Sequence, residues 1–282
     1  MKPQKLARVA LKVEERSTPI SRPRDIFGER HRSFLLFLLL FFALTWWSSW
    51  GTDFDLWMAF ESFPRAVAWL GSNFIPTEDS LQYLPNIGVK LLETVFVSIT
   101  ATTTSAVLAF ALALLSSKTT RVNPIIAIVV RALGTLLRSI PVAAWAMIFL
   151  FSFGQSALTG FLAIFMETLG FFIRAFIETV DETSESSVEA LKASGASWLH
   201  TVTQAVLPSV IPQLMSWVLY MIETNIRSAT LVGLLTGTGI GFAFDIYYKS
   251  MRYPPAGLVV LSIVVVVLVI EVLSNRIRRS IQ

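Results

Sequence analysis

Long apolar runs alternate with short polar segments along this 282-residue chain. A membrane-spanning helix needs about 20 mostly apolar residues in succession. Runs of about this length predict spans at about residues 33–50, 89–115, 157–177, 209–235 and 256–273. The pattern therefore predicts an all-α membrane protein.

The run 124–153 is harder to assign because Arg131 and Arg138 divide it. An arginine at the middle of a bilayer costs several kcal/mol, and Pro141 interrupts the helical pattern. We therefore predict a helix on the membrane surface, followed by one crossing over the charge-free residues 140–153. With this crossing the chain has about six transmembrane helices.

The segments before the second span differ in polarity. Residues 1–32 are polar and hold nine Lys or Arg. The run 33–50 ends in a tryptophan cluster and has no cleavage site after it, so we interpret it as a retained anchor. Residues 51–88 are acidic and carry large apolar side chains, which predicts an amphipathic helix on the membrane surface. Those side chains are Phe54, Trp57, Met58, Phe60 and Trp69.

The distribution of basic residues predicts the orientation. Lys and Arg concentrate at 1–32, at the link 118–121 and at the tail 276–282, and such segments are usually cytoplasmic. Six crossings place all three inside the cytoplasm and 51–88 on the outer side of the membrane. The same parity places the polar segment 181–208 in the cytoplasm. Lys249 and Arg252 fall outside in this scheme, a weak violation of the rule.

Composition narrows the function classes. Hydrophobic residues make up 54% and charged residues only 15%, against about 25% charged in soluble proteins. There is no cysteine, and both histidines lie outside the predicted spans, so neither a metal site nor an intramembrane enzyme is favoured. The chain also lacks a G-x-x-x-x-G-K-[ST] phosphate loop and is not expected to hydrolyse ATP.

The second predicted span carries two features. Small residues recur every fourth position, at Ala101, Ser105, Ala109 and Ala113, and predict a stripe for close helix packing. The hydroxyl-rich stretch ITATTTS, residues 99–105, is suited to a polar path. Alternatively its hydroxyls bond back to their own helix, and we favour this second interpretation.

The polar segment between the fourth and fifth spans reads EALKASGASWLHTVTQAVLP from Glu189. Ser186 and Glu189 have the spacing of a capping box, which predicts a helix starting there and ending near residue 194. Gly195 permits a sharp change of direction, and a second short helix can start near Ser197. Pro208 suits the first turn of the next span. A rigid helix–turn–helix of this kind fits a segment that receives motion from a soluble partner.

The segment resembles the EAA motif of ABC-importer permeases. Glu189, Ala190, Gly195, Leu207 and Pro208 match at the family's spacing, while Leu191 and Ala205 depart conservatively from Ala and Ile. The resemblance implies a type I ABC-importer permease fold in a bacterial inner membrane, with 51–88 on its periplasmic side. It also implies a cytoplasmic coupling helix that docks into a separate ATPase. The residues assigned to this coupling function are Glu189, Ala190, Leu191, Gly195, Ala196, Leu207 and Pro208.

Further stretches are similar to the phosphonate-transport permeases. They are RSIPVAAWAMIF from Arg138, NIRSATLVGLLTGTGIGF from Asn225 and MRYPPAG from Met251. The likeness covers residues 85–280 and implies import of phosphonate, phosphite, hypophosphite or phosphate, with methionine or organosulfonate as alternatives. It implies a homodimer of permeases, a periplasmic binding protein and two ATP-binding subunits that hold ATP and Mg. No cofactor is expected in this chain, and its core spans 89–275.

Several polar residues of the fifth span are candidates for the substrate path. Glu223 and Arg227 are spaced to form an i, i+4 ion pair, and a charge at that depth needs such a partner or a polar cavity. An oxyanion crossing the membrane needs hydrogen-bond donors, which an arginine supplies. The glycines of TGTGIG let the chain leave the helix, and their amides are suited to an anion-binding nest. The candidates are Glu223, Asn225, Arg227, Ser228, Gly237 and Gly239.

Overall fold

The computed structural model describes residues 26–52 and 55–281, and all regular structure within them is helical. A 3-10 helix covers Glu78–Tyr83, and the five-residue π-helical turn Val202–Val206 joins the seventh and eighth helices. The α-helices are α1 Ile26–Gly51, α2 Leu56–Asn73, α3 Leu84–Ser116, α4 Pro124–Ser139, α5 Val142–Phe153, α6 Ala157–Ala193, α7 Trp198–Thr201, α8 Leu207–Thr236, α9 Gly239–Lys249 and α10 Tyr253–Ile281.

The chain divides into an N-terminal unit that ends at Ala68 and a C-terminal unit that begins at Trp69. In the first unit, residues 1–25 of the predicted basic segment lie outside the described residues, as does Phe54. Helix α1 starts ahead of the predicted residue 33, because charged residues can leave the bilayer without ending a helix. Helix α2 lies within the predicted amphipathic segment, and its Trp57 and Phe60 are exposed.

The core of the second unit forms around α3 and α6. The small residues Ala101, Ser105, Ala109 and Ala113 are fully buried, and the Ser105 hydroxyl donates to the carbonyl of Phe165 on α6 at 3.1 Å. The predicted packing stripe is therefore confirmed. The hydroxyls of Thr103 and Thr104 bond to carbonyls three and four residues earlier, as favoured, whereas that of Ser105 reaches the neighbouring helix.

The segment 124–153 forms two helices, α4 and α5, that meet at 91°. Pro141 disfavours helical geometry at the residue before it, and Ile140 is extended with φ −100° and ψ 119°. Helix α5 has 12 residues and rises only about 18 Å, which is too short to cross a bilayer core alone. Within residues 26–52 and 55–281, five helices are long and apolar enough to span a membrane, and the predicted sixth crossing requires α4 and α5 together.

The prediction that a new helix starts at Ser186 is wrong. Helix α6 runs without a break from Ala157 to Ala193. No Gly or Pro occurs from residue 171 to 194, and buried residues continue at intervals of four and then eight through Phe172, Phe176, Val180 and Val188. A capping box acts only where the chain enters a helix, so Ser186 and Glu189 lie instead within the last turns of this one.

The chain between the fifth and sixth predicted spans is also helical, from Gly239 to Lys249. Helix α9 buries Ile240, Ala243 and Tyr247, which are spaced by three and four residues. Gly241 allows its close approach to α8, since an added Cβ would strike the carbonyl of Thr230. The last helix extends through the predicted tail 276–282 as far as Ile281, because no Gly or Pro follows Gly257.

Candidate functional site

The predicted coupling segment turns sharply after α6. Gly195 has φ +81°, and its amide donates to the Lys192 carbonyl at 3.0 Å. The next amide, of Ala196, reaches back to the carbonyl of Leu191 at 3.1 Å. These two bonds form a Schellman motif, which ends a helix with a left-handed residue. The predicted change of direction at Gly195 is present for this reason.

The second arm of the turn starts where the sequence predicts it. The Ser197 hydroxyl accepts the amide of His200 at 3.4 Å and caps α7. Pro208 lies in the first turn of α8. It has no N–H to donate and its ring crowds the carbonyl four residues earlier, which accounts for the wider π-helical turn ahead of it. Helical structure is continuous from Trp198 to Thr236, so this arm is a direct extension of the fifth span.

The surface of the coupling segment is mixed in polarity. Glu189, Ala190, Gly195 and Pro208 are exposed, while Leu191, Ala196 and Leu207 are half-buried. The apolar Leu199 also projects with 65% of its surface exposed. Beneath this surface lies a buried layer that holds the two arms together, formed by Val188, Thr201, Val202, Ala205 and Val206.

Two side chains attach the coupling segment to the link between α3 and α4. The ammonium group of Lys192 donates to the Thr119 carbonyl at 2.6 Å, and the indole N–H of Trp198 donates to the Thr120 carbonyl at 2.8 Å. The link therefore lies at the same end of the molecule as the segment. The contacts agree with the predicted placement of both on one side. No local sequence pattern predicts them, since the partners are more than 70 residues apart.

A carboxylate further up α6 holds the same link. Asp181 accepts the Ser117 hydroxyl at 2.5 Å and the Lys118 amide at 2.6 Å. The amide of Thr119 lies at 3.4 Å from the same oxygen. Three donors on one carboxylate fix the link to α6. The arms of the turn and the link thus form one connected unit.

Asn225 lies in a buried hydrogen-bond network. Its side-chain amide donates to the hydroxyl of Thr102 on α3 at 2.8 Å and to that of Thr168 on α6 at 2.9 Å. The side chain is 1% exposed. This geometry is that of a polar contact joining three membrane helices.

The predicted pair in the fifth span forms. Arg227 Nη2 lies 3.1 Å from Glu223 Oε1, and the side chains are 52% and 15% exposed, respectively. The arginine thus presents half of its surface away from its partner. Ser228, the next residue, is half-buried.

The glycines of TGTGIG lie at the far end of α8 from the coupling segment. Gly237 is left-handed with φ 69° and ψ 31°, and it ends α8. The amide of Ile240 donates to Thr94 Oγ1 at 2.8 Å, and that of Thr238 to the Gly233 carbonyl at 3.1 Å. These amides serve the packing of α9 against α3 and α8. The predicted path residues therefore do not form one cluster.

Solved structures of similar shape define the fold. A chain of the MetNI methionine ABC transporter in an inward-facing conformation aligns with a TM-score of 0.63 and 19% identity, over 73% of this chain and 99% of that one. A chain of an amino acid ABC transporter aligns at 0.61 and 15%, over 71% and 96%. At these identities the likeness concerns the fold alone. The fold is that of type I ABC-importer permeases, as predicted.

The chain belongs to the family of binding-protein-dependent transport system inner membrane components, which it matches over residues 105–282. The Phosphite transport system permease protein PtxC of Stutzerimonas stutzeri is 31% identical over 189 residues, which are 67% of this chain and 69% of that protein. The Putative cryptic phosphonate transport system permease protein PhnE2 of Escherichia coli K12 is 34% identical over 118 residues, 42% of this chain and 97% of that protein.

The Phosphate-import permease protein PhnE of Mycolicibacterium smegmatis is a longer relative. It is 28% identical over 232 residues, which are 82% of this chain but only 43% of that protein. The chain thus spans less than half the length of this relative. The predicted resemblance to phosphonate-type permeases is confirmed, and the apolar helices with the family membership describe a multi-pass inner-membrane protein.

Proposed function

We propose that this chain is the permease subunit of an ATP-driven importer for a phosphorus oxyanion: phosphonate, phosphite, hypophosphite or phosphate. In this proposal two copies form the translocation path, a periplasmic binding protein delivers the substrate, and two ATP-binding subunits drive alternating access. ATP hydrolysis belongs to those subunits, and the chain itself catalyses no reaction. Both chain ends face the cytoplasm.

The observation that carries the proposal is the construction of the coupling segment. One arm continues the fourth predicted span as α6, and the other continues into the fifth span through α7 and the π-helical turn. The Schellman turn, the buried layer and the bonds to the 117–120 link leave little freedom between the two arms. A displacement applied at Gly195 is therefore transmitted to two membrane helices, as a permease driven by a separate ATPase requires.

Support for the substrate class comes from the names of the relatives and from the positive charge of Arg227. The three relatives carry names that refer to phosphate, phosphite or phosphonate transport. Arg227 exposes half of its side chain within an apolar helix, where a guanidinium can attract an oxyanion while Glu223 moderates the attraction. A site that bound the anion too tightly would stall transport, so a paired arginine suits a transient contact.

The proposal is tested by reconstitution. The chain is purified with the proposed ATP-binding subunit, placed in proteoliposomes and supplied with the cognate binding protein. ATP-dependent uptake of labelled phosphite, methylphosphonate and phosphate is compared with uptake of methionine and taurine. Uptake of a phosphorus oxyanion alone supports the proposal. Uptake of methionine or taurine alone, or equal uptake without ATP, contradicts it.

A further inference from the structure

A cavity of about 300 Å³ lies between the 117–120 link, α4 and α6, near the coupling segment. Its lining includes three cations, each from a different element: Lys118 from the link, Arg131 from α4 and Arg174 from α6. Two carboxylates, of Glu178 and Asp181, also line it. None of these residues is in the predicted coupling set or the predicted path.

Both carboxylates are already engaged. Asp181 accepts the three donors of the link described above. Glu178 accepts Arg174 Nε at 2.9 Å, one helical turn away on α6. The neutral donors leave the negative charge of Asp181 in place, and this carboxylate also forms an ion pair with Arg131 at 3.7 Å. Three cations against two carboxylates therefore leave one surplus positive charge in the cavity.

Arg131 is only partly satisfied. Its Nη2 donates to the Ser116 carbonyl at 3.0 Å and stands 3.7 Å from Asp181 Oδ2, beyond hydrogen-bond distance. Its buried Nε has no hydrogen-bond partner among the described residues. A buried guanidinium N–H without an acceptor calls for a water or a ligand oxygen. An oxyanion supplies such an oxygen together with the missing negative charge.

We propose that this cavity binds the phosphate group of an anionic ligand through Lys118 and Arg131. Two sources supply this chemistry, a phospholipid headgroup or a free phosphate ion. The setting suits a headgroup, since the cavity lies at the end of a predicted span and α4 exposes Ile128 and Val129 near Arg131. The inference stands apart from the proposed function, because binding is measured without transport.

The test uses the full-length protein purified in a neutral detergent. Its Kd is measured by titration with dihexanoyl-phosphatidylglycerol, with the matching phosphatidylcholine and with inorganic phosphate. We expect phosphatidylglycerol or inorganic phosphate to bind and phosphatidylcholine to be inert. Lys118→Gln should weaken binding about fivefold, the effect of one cation near a membrane surface. Arg131→Lys, which keeps the charge and removes the Nε donor, should weaken it about tenfold or more.

The matched control is Arg121→Gln, which removes one positive charge three positions after Lys118. Arg121 is exposed and is not among the residues that line the cavity. Binding by phosphatidylglycerol that inorganic phosphate does not displace assigns the site to a headgroup, and binding by inorganic phosphate assigns it to a free anion. Equal weakening by Arg121→Gln and Lys118→Gln, or no binding of either anion, overturns the proposal. Unliganded Tm values show that the variants are folded.

Discussion

A substitution at Gly195 has a predictable effect on the free energy of the turn. Its φ is +81°, and a Cβ added there meets no heavy atom within 4 Å. Alanine therefore adds backbone strain without a clash. The left-handed conformation costs an L-residue about 1–2 kcal/mol, a factor of about 5–30 in the equilibrium between the formed and unwound turn. Asparagine tolerates this conformation better, so Gly195→Asn should disturb the turn least.

Gly195→Trp separates the effect of backbone strain at this position from the effect of side-chain volume. The strain is like that of alanine, but the open space around the Cβ lets an indole project into the proposed docking surface. The assay is ATP hydrolysis by the reconstituted complex, stimulated by the loaded binding protein, together with uptake. We expect the coupled rates to fall in the order Gly, Asn, Ala, Trp, with unchanged amounts of chain in the membrane.

Gly154→Ala is the control for strain. Gly154 has φ +71° and ψ −170°, its added Cβ also meets nothing within 4 Å, and it lies just before the opposite end of α6. This variant should lose at least as much thermal stability as Gly195→Ala while keeping coupled ATP hydrolysis. Full coupling in Gly195→Trp, or equal loss of coupling in Gly154→Ala, would refute the reasoning.

Three further predictions concern the membrane region. Arg227→Ala should impair uptake more than membrane assembly, and Arg227→Lys should restore it only in part; intact uptake in Arg227→Ala would show that the arginine does not line the path. Asn225→Ala should lower the free energy of unfolding by about 1–3 kcal/mol, because it leaves two buried threonine hydroxyls without their donor, whereas an unchanged Tm would contradict this. Single cysteines test the orientation, since the chain has none of its own. A cysteine at Lys118, Lys192 or Arg279 should be labelled only from the cytoplasm, and one at Asp79 only from outside. Labelling at 192 from outside would reverse the assignment of the coupling segment to the cytoplasm.

Local signals in the sequence predict the structure correctly where a single residue type determines the local geometry. The small residues spaced by four from Ala101 predict close packing because only small side chains let two helices approach. Gly195, Ser197 and Pro208 each act within four residues of their position, as a left-handed residue, an N-cap and a first-turn proline. These are the parts of the candidate site that could be predicted.

The parts that could not be predicted depend on distant contacts. The capping box at Ser186 is a valid local signal, but the preceding residues already form a helix whose buried face continues past it. The close packing of helix α9 depends on the fit of Gly241 against α8, which no local pattern reveals. The attachment of the link to Asp181 joins residues more than 60 positions apart.

Photo-crosslinking from the coupling segment tests the central claim most directly. A benzoylphenylalanine placed at Leu199, which is 65% exposed, is irradiated in membranes that contain the proposed ATP-binding subunit. The same probe at Met251, 76% exposed and located between α9 and α10, is the control. The account predicts a crosslink to the ATP-binding subunit from 199 and none from 251. A crosslink from 251 alone, or none from 199 in an assembled complex, would contradict it.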